Sequence, residues 1–132
     1  MIDILQIDEG LWVLEEDGQN VLIKDCVKFE ITKTKRKDLF LVVVMVAKRL
    51  QKRVSLDSLV EQGLVKKLDR QKSVALADVW EARSPGGGRI IFMIKDPDTI
   101  VISAVHKGHG SLTQAVDRGM GRWRRYLKEK GV

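Results

Sequence analysis

One cysteine, Cys26, stands among the 132 residues, so no internal disulfide can form and a reducing compartment fits. It falls in a predicted helix with only Lys24 and Lys28 near it in sequence, a poor setting for a catalytic thiol. Long apolar runs are missing too. The longest, Leu39 to Ala47, is about half of the roughly 20 residues a membrane-spanning helix needs. The N-terminus shows no basic-then-apolar signal pattern, and the chain is expected to stay in the cytoplasm, away from membranes. The only histidines are His106 and His109, and with one remote cysteine they cannot supply a tetrahedral zinc set. Asp96-Pro97-Asp98 offers two carboxylates without a third acidic or histidine ligand nearby, and it reads as a turn. Gly86-Gly87-Gly88 is followed by neither a lysine–serine pair nor a helix, so it reads as a hairpin turn and not as a phosphate loop. Internal repeats, low-complexity tracts and interdomain linkers are absent.

What is present is the balance of a globular protein, 44% hydrophobic and 32% charged, in a chain the size of one domain. The net charge of +6 conceals an asymmetry. Residues 1–32 carry eight acids against two bases, a net of −6, while residues 33–132 carry ten acids against 22 bases, a net of +12. So basic a second part attracts a polyanion, either nucleic acid or an acidic protein partner; an ordinary solvated basic face is the other reading.

An α+β chain is expected. Residues Gly10 to Glu16 read as a strand paired with Ile2 to Ile7 across Asp8-Glu9-Gly10. Asn20 can cap a helix in which Val21, Ile23, Val27 and Ile31 form the apolar face and the basic run Lys33 to Lys37 the end. From Asp38, the spacing of Leu39, Val42, Val43, Val46, Leu50 and Val54 favours a second helix, although Val42-Val43-Val44 would also suit a strand. Ser55 opens a short turn or helix closed near Gly63, and Leu64 to Leu68 leads onward. Strand signals at Ala75 to Ala82, Arg89 to Lys95 and Thr99 to Lys107, joined by short connections, predict an antiparallel meander. Leu112, Val116, Met120, Trp123 and Leu127 line one side of a C-terminal helix capped by Ser111 or Thr113, which must pack on the sheet. The expectation is a small antiparallel sheet, an N-terminal strand plus the meander, with two N-terminal helices and a terminal helix.

Local sequence in the second half carries a resemblance. Asp78-Val79-Trp80-Glu81-Ala82-Arg83, Gly88-Arg89-Ile90-Ile91-Phe92, Ile100 through His106-Lys107, and Ala115-Val116-Asp117-Arg118 resemble the corresponding stretches of the RelE/HigB family of ribosome-associated mRNA endonuclease toxins. Gly88 stands where the family commonly has an aromatic residue, and Lys107-Gly108-His109-Gly110 replaces its frequent Lys-Lys-Thr cluster. The resemblance spans residues 64–126. It implies a single domain over 1–132, cutting of mRNA on the ribosome by its own 2′-hydroxyl without a metal or other cofactor, and a cognate antitoxin as partner.

Such chemistry calls for a base on the 2′-hydroxyl, cations around the phosphorane and an acid for the departing 5′-oxygen. Arg83 and Arg89, on neighbouring strands of a predicted hairpin, can clamp a phosphate. His106 is the candidate acid or base, Glu81 the carboxylate alternative, and Lys107 a further cation. Each has a plainer reading: Glu81 and Arg83 as a surface ion pair, His106, Lys107 and His109 as solvent-facing residues. Arg118, Arg122, Arg125 and Tyr126 on the last helix are candidate RNA contacts, extended by Lys66 and Lys67, whereas Trp80 and Trp123 are expected in the core. The competing function is a noncatalytic nucleic-acid binder or a gyrase-inhibiting relative of the ParE kind.

Overall fold

The computed structural model describes residues 1–68 and 78–131. Its first strands, β1 (Ile2–Asp8) and β2 (Leu11–Glu16), form the expected antiparallel hairpin, turned at Gly10, whose φ of +66° favours glycine. A two-residue strand, β3 (Gln19–Asn20), pairs back on β2. The Asn20 side chain then accepts from the N–H groups of Leu22 (2.9 Å) and Ile23 (3.3 Å), opening α1 (Val21–Lys28).

The end and the buried face of α1 differ from expectation. Glu30, at φ +58°, breaks the helix, and Thr32 caps a new one by accepting from Lys35 N–H. Lys33 to Lys37 therefore begin α2 (Lys33–Gln51) instead of ending α1. The buried face of α1 is Val21, Leu22, Asp25 and Cys26, while Ile23 and Val27 are 49% and 72% exposed. Helix α2 buries Leu39, Val42, Val43 and Val46 as expected; Val54 lies beyond its end and is exposed. A short helix, α3 (Asp57–Glu61), and strand β4 (Val65–Lys67) follow.

The second half is the predicted meander: β5 (Asp78–Arg83), β6 (Gly88–Lys95) and β7 (Asp98–His106), then α4 (Leu112–Glu129), capped by Ser111. Positions 75–77 of the first expected strand lie outside the described residues. Among the described residues the strand order is β1-β2-β7-β6-β5-β4, in one mixed sheet. Its antiparallel character is broken at β2 and β7, which pair parallel through Leu11–Val13 and Thr99–Val101. Between those strands runs the whole helical stretch, long enough for either direction. Strand β7 becomes central and is buried from Thr99 to Val105.

Helices cover both faces. The Ser103 hydroxyl donates to the carbonyl of Ala115, and a Cβ on Gly119 would stand 2.7 Å from Ile102, so α4 lies close against one face. A Cβ on Gly88 would stand 2.8 Å from Leu39, which places α2 on the other.

Beyond Val101 the pairing of β2 with β7 ends, and side chains satisfy the strand's open edge. Ala104 N–H donates to Asp25 Oδ2 (3.0 Å), Arg122 donates to the carbonyl of Ile102 (3.0 Å), and Arg118 donates to that of Ala104 (2.8 Å). A buried strand edge needs such partners, because unpaired backbone groups away from water are costly. Among the described residues, no helix is long and apolar enough to cross a membrane.

Candidate functional site

Strand alternation decides which candidate side chains meet. Arg83 is the register partner of Arg89, and Arg89 of Val105; Lys66 is the partner of Glu81, and Glu81 of Ile91. Lys66, Glu81, Arg83, Arg89 and Val105 thus share the face that α4 covers in part. Where the helix begins, that face stays open as a cleft of about 580 Å³, walled by Lys107, Gly110, Ser111 and Leu112. Four cations, Lys66, Arg83, Arg89 and Lys107, surround one carboxylate, Glu81.

Glu81 forms the floor. Its side chain is 4% exposed and sits 3.6 Å from Arg83 Nε and 3.7 Å from Arg89 Nε, near enough for charge pairing and too far for hydrogen bonds. Glu81 Oε2 and Arg83 Nε are buried without any hydrogen-bond partner. Arg89 is held from behind, donating through Nη1 to the turn carbonyls of Ser84 (3.1 Å) and Gly88 (2.8 Å). The expected ion pair of Glu81 and Arg83 is present, but its carboxylate is buried and two arginines share it. A buried acceptor and a buried donor, both unmatched beside an open cleft, suit a ligand that carries a hydroxyl next to an anionic group. Comparison with protein-family models, curated proteins and solved structures returned no match for this chain.

The cleft brings together five of the expected site residues: Glu81, Arg83, Arg89, Lys107 and Lys66. His106 is not among them. It is the register partner of Gly88, one position out of phase with Arg89 and Val105, and its ring leaves the sheet on the α2 side. The imidazole is therefore not part of the cleft lining that holds the guanidinium pair. Lys67 alternates away from Lys66 and pairs with Asp78 at 3.2 Å.

The expected RNA contacts of α4 take a structural part. Arg122 is 3% exposed and forms a two-point ion pair with Asp25, both arms at 2.9 Å. Arg118 Nε donates to the same carboxylate (3.3 Å), and Arg125 to Glu16 (2.7 Å). Arg122 lies ten residues along the helix from Leu112, about 15 Å at 1.5 Å per residue, so its end of α4 is remote from the cleft. There Glu129 and Lys130 bind β1 through Ile2 N–H and Asp3. Tyr126 stacks on Trp123 at 5.3 Å, which occupies one face of the ring expected to receive a base, and Trp123 is only half-buried.

Electrostatics follow these contacts. Burial would raise Glu16, but hydrogen bonds from Lys24 and Arg125 and the charges of Arg122 and Lys24 outweigh it and hold the carboxyl at about 2. Burial would lower Arg122; the hydrogen bonds and charge of Asp25, with Glu16, outweigh it and raise the guanidinium above its ordinary value. Burial pushes the Cys26 thiol up to about 11, the opposite of an activated nucleophile. Among the described residues, no three His, Cys, Asp or Glu side chains form a group that could hold a metal ion.

Sequence reasoning did not single out Asp25, although an acid between Leu22 and Cys26 on an apolar helix face was a visible signal. Ser111 was found as a cap, without its place in the cleft wall.

Proposed function

We propose that the protein is an endoribonuclease of the RelE/HigB kind, cutting mRNA on the ribosome in the cytoplasm, with the cleft as its active site. The observation carrying this is the buried Glu81 carboxylate between two guanidinium groups, its Oε2 without a hydrogen bond. In the proposed step Glu81 accepts the proton of a ribose 2′-hydroxyl. The 2′-oxygen attacks the adjacent phosphorus, Arg83 and Arg89 neutralise charge on the phosphorane oxygens, and the 5′-oxygen leaves. The products are a 2′,3′-cyclic phosphate and a 5′-hydroxyl end. Lys107, which also lines the cleft, donates a proton to the leaving 5′-oxygen, and Lys66 attracts the flanking backbone. The nucleophile is the RNA's own hydroxyl, so the step calls on no metal.

A basic toxin of this kind works with an acidic antitoxin. Away from the cleft, Ile7, Leu22, Ile23 and Phe40 line an apolar hollow rimmed by Lys33, Arg36 and Lys37, a surface suited to an acidic amphipathic segment.

The test is inducible expression in a bacterium with primer-extension mapping of transcripts. Growth arrest with new 5′ ends, abolished in Glu81→Gln, is the expected result. Arrest with intact transcripts would sink the proposal, and inhibited supercoiling would point instead to a gyrase poison.

A further inference from the structure

Lys107 and His106 are consecutive, yet they leave β7 on opposite sides, and the turn joining β5 to β6 lies between them. Lys107 N–H donates to the carbonyl of Gly87 (2.9 Å). A Cβ on Gly87 would stand 3.4 Å from His106 Cε1 and 3.6 Å from Lys107 Cβ, and one on Gly86 would stand 3.3 Å from Lys35 Nζ. Three successive glycines, Gly86 to Gly88, thus form a saddle bare of side chains. On one side is the cleft. On the other stand His106, His109 and Lys35.

That far side is built. His109 N–H (2.8 Å) and Gly110 N–H (3.1 Å) both donate to the His106 carbonyl, folding the strand end so that the two imidazoles lie 5.2 Å apart at 57°. His106 Nδ1 accepts from Gly108 N–H (3.3 Å), and Glu30 approaches His109 Nε2 at 3.5 Å. The His106 ring is half-buried and the His109 side chain is 47% exposed. Accessible aromatic rings near a lysine are what a single-stranded base and its phosphate require. The cleft's volume of about 580 Å³ is in the range of a single small-molecule site, so a strand entering it must leave across an edge. The glycine saddle is one such edge, and the side chains of Lys35, His106, Lys107 and Leu39 pack against it.

We propose that His106, His109 and Lys35 form a second nucleotide subsite, where the strand leaving the cleft crosses the glycine saddle, stacks its next base on the imidazoles and sets its phosphate against Lys35. This rests on the assignment of the cleft to RNA. It gives His106 a binding task in place of the acid–base one, and it makes affinity depend on the length of the strand.

The experiment measures fluorescence anisotropy of the full chain with labelled RNA made uncleavable by 2′-deoxy substitution at every nucleotide that precedes a phosphodiester, as a dinucleotide and as a hexanucleotide. Replacing both His109→Ala and Lys35→Ala should weaken the hexanucleotide about tenfold, the loss of roughly one stacked base, and leave the dinucleotide unchanged. Lys35→Glu, a single change at an exposed site, should also weaken only the longer strand. Arg89→Ala should weaken both. Equal hexanucleotide binding by wild type and the double variant would overturn the subsite while the Arg89 effect kept the cleft in place. No binding of the hexanucleotide by the wild type would overturn the subsite, while the cleft's assignment is decided by the transcript mapping described above.

Discussion

Arg83 and Arg89 face each other as register partners across β5 and β6, and both reach the one buried carboxylate of Glu81. They are not equivalent. Arg89 is 11% exposed and pinned to two turn carbonyls, whereas Arg83 is far more open and its buried Nε has no partner. A preorganised cation is worth more to a transition state than one that must be ordered. Arg89→Ala is therefore expected to lower cleavage on the order of 100-fold and Arg83→Ala about tenfold, read by primer extension at matched expression. His106→Ala should cost less than either. A loss for His106→Ala as large as that for Arg89→Ala would return the imidazole to the chemistry.

The Asp25–Arg122 pair is expected to matter for stability and not for cleavage. Asp25→Ala would leave buried Arg122 with only the more distant Glu16 (3.4 Å) as a carboxylate partner and Ala104 N–H without an acceptor. Breaking a buried pair from one side costs about 3–5 kcal/mol. Urea unfolding should show a lower midpoint and an unfolding free energy smaller by that amount; a change under about 1 kcal/mol would mean that the pair contributes little.

Glu16 links stability to pH. Its folded value of about 2 lies below the ordinary 4.5, so the stabilisation is fully present above about 4.5 and is lost as pH falls towards 2. The difference corresponds to at most about 3 kcal/mol, less after solvent screening. Glu16→Gln should be less stable than wild type at pH 7, with the gap closing between pH 4.5 and 2. A gap independent of pH would assign the loss to packing.

Cys26 is fully buried, and its thiol is pushed up to about 11 by burial first, with Asp25 adding to the rise and Arg36 opposing it. At pH 8 the native protein should react with a thiol reagent only as fast as it unfolds, and urea should accelerate labelling sharply. Immediate stoichiometric labelling in buffer would contradict this burial.

Gly119 is where α4 comes closest to the sheet. A Cβ there would meet Ile102 Cγ1 at 2.7 Å and Ser103 Oγ at 3.0 Å. Gly119→Ala gains helix propensity of about 1 kcal/mol, but overpacking costs about 1–3 kcal/mol. A net lowering of Tm is expected, and an unchanged or higher Tm would show that the helix can shift outward freely.

Much of the fold was legible because its signals are local. Asn20 and Ser111 cap helices by accepting from amides two or three residues ahead, Gly10 turns a hairpin, and short connections join β5, β6 and β7; none of these needs a distant residue. Pairing of Arg83 with Arg89 was legible for the same reason, since a hairpin this short fixes its own register. Tertiary structure decided the rest. Periodicity put Ile23 and Val27 in the core, but α1 buries Val21, Leu22 and Cys26 together with Asp25, which meets Ala104 and Arg122, and both were left outside. Arg122 looked like a surface cation until that carboxylate, 97 residues earlier, arrived beside it. His106 follows from the same division: its place at a strand end is local, while the side of the sheet holding the cleft was set by where α2 and α4 packed. Local rules act through neighbouring backbone groups, whereas burial and charge pairing depend on residues that meet only once the chain has closed.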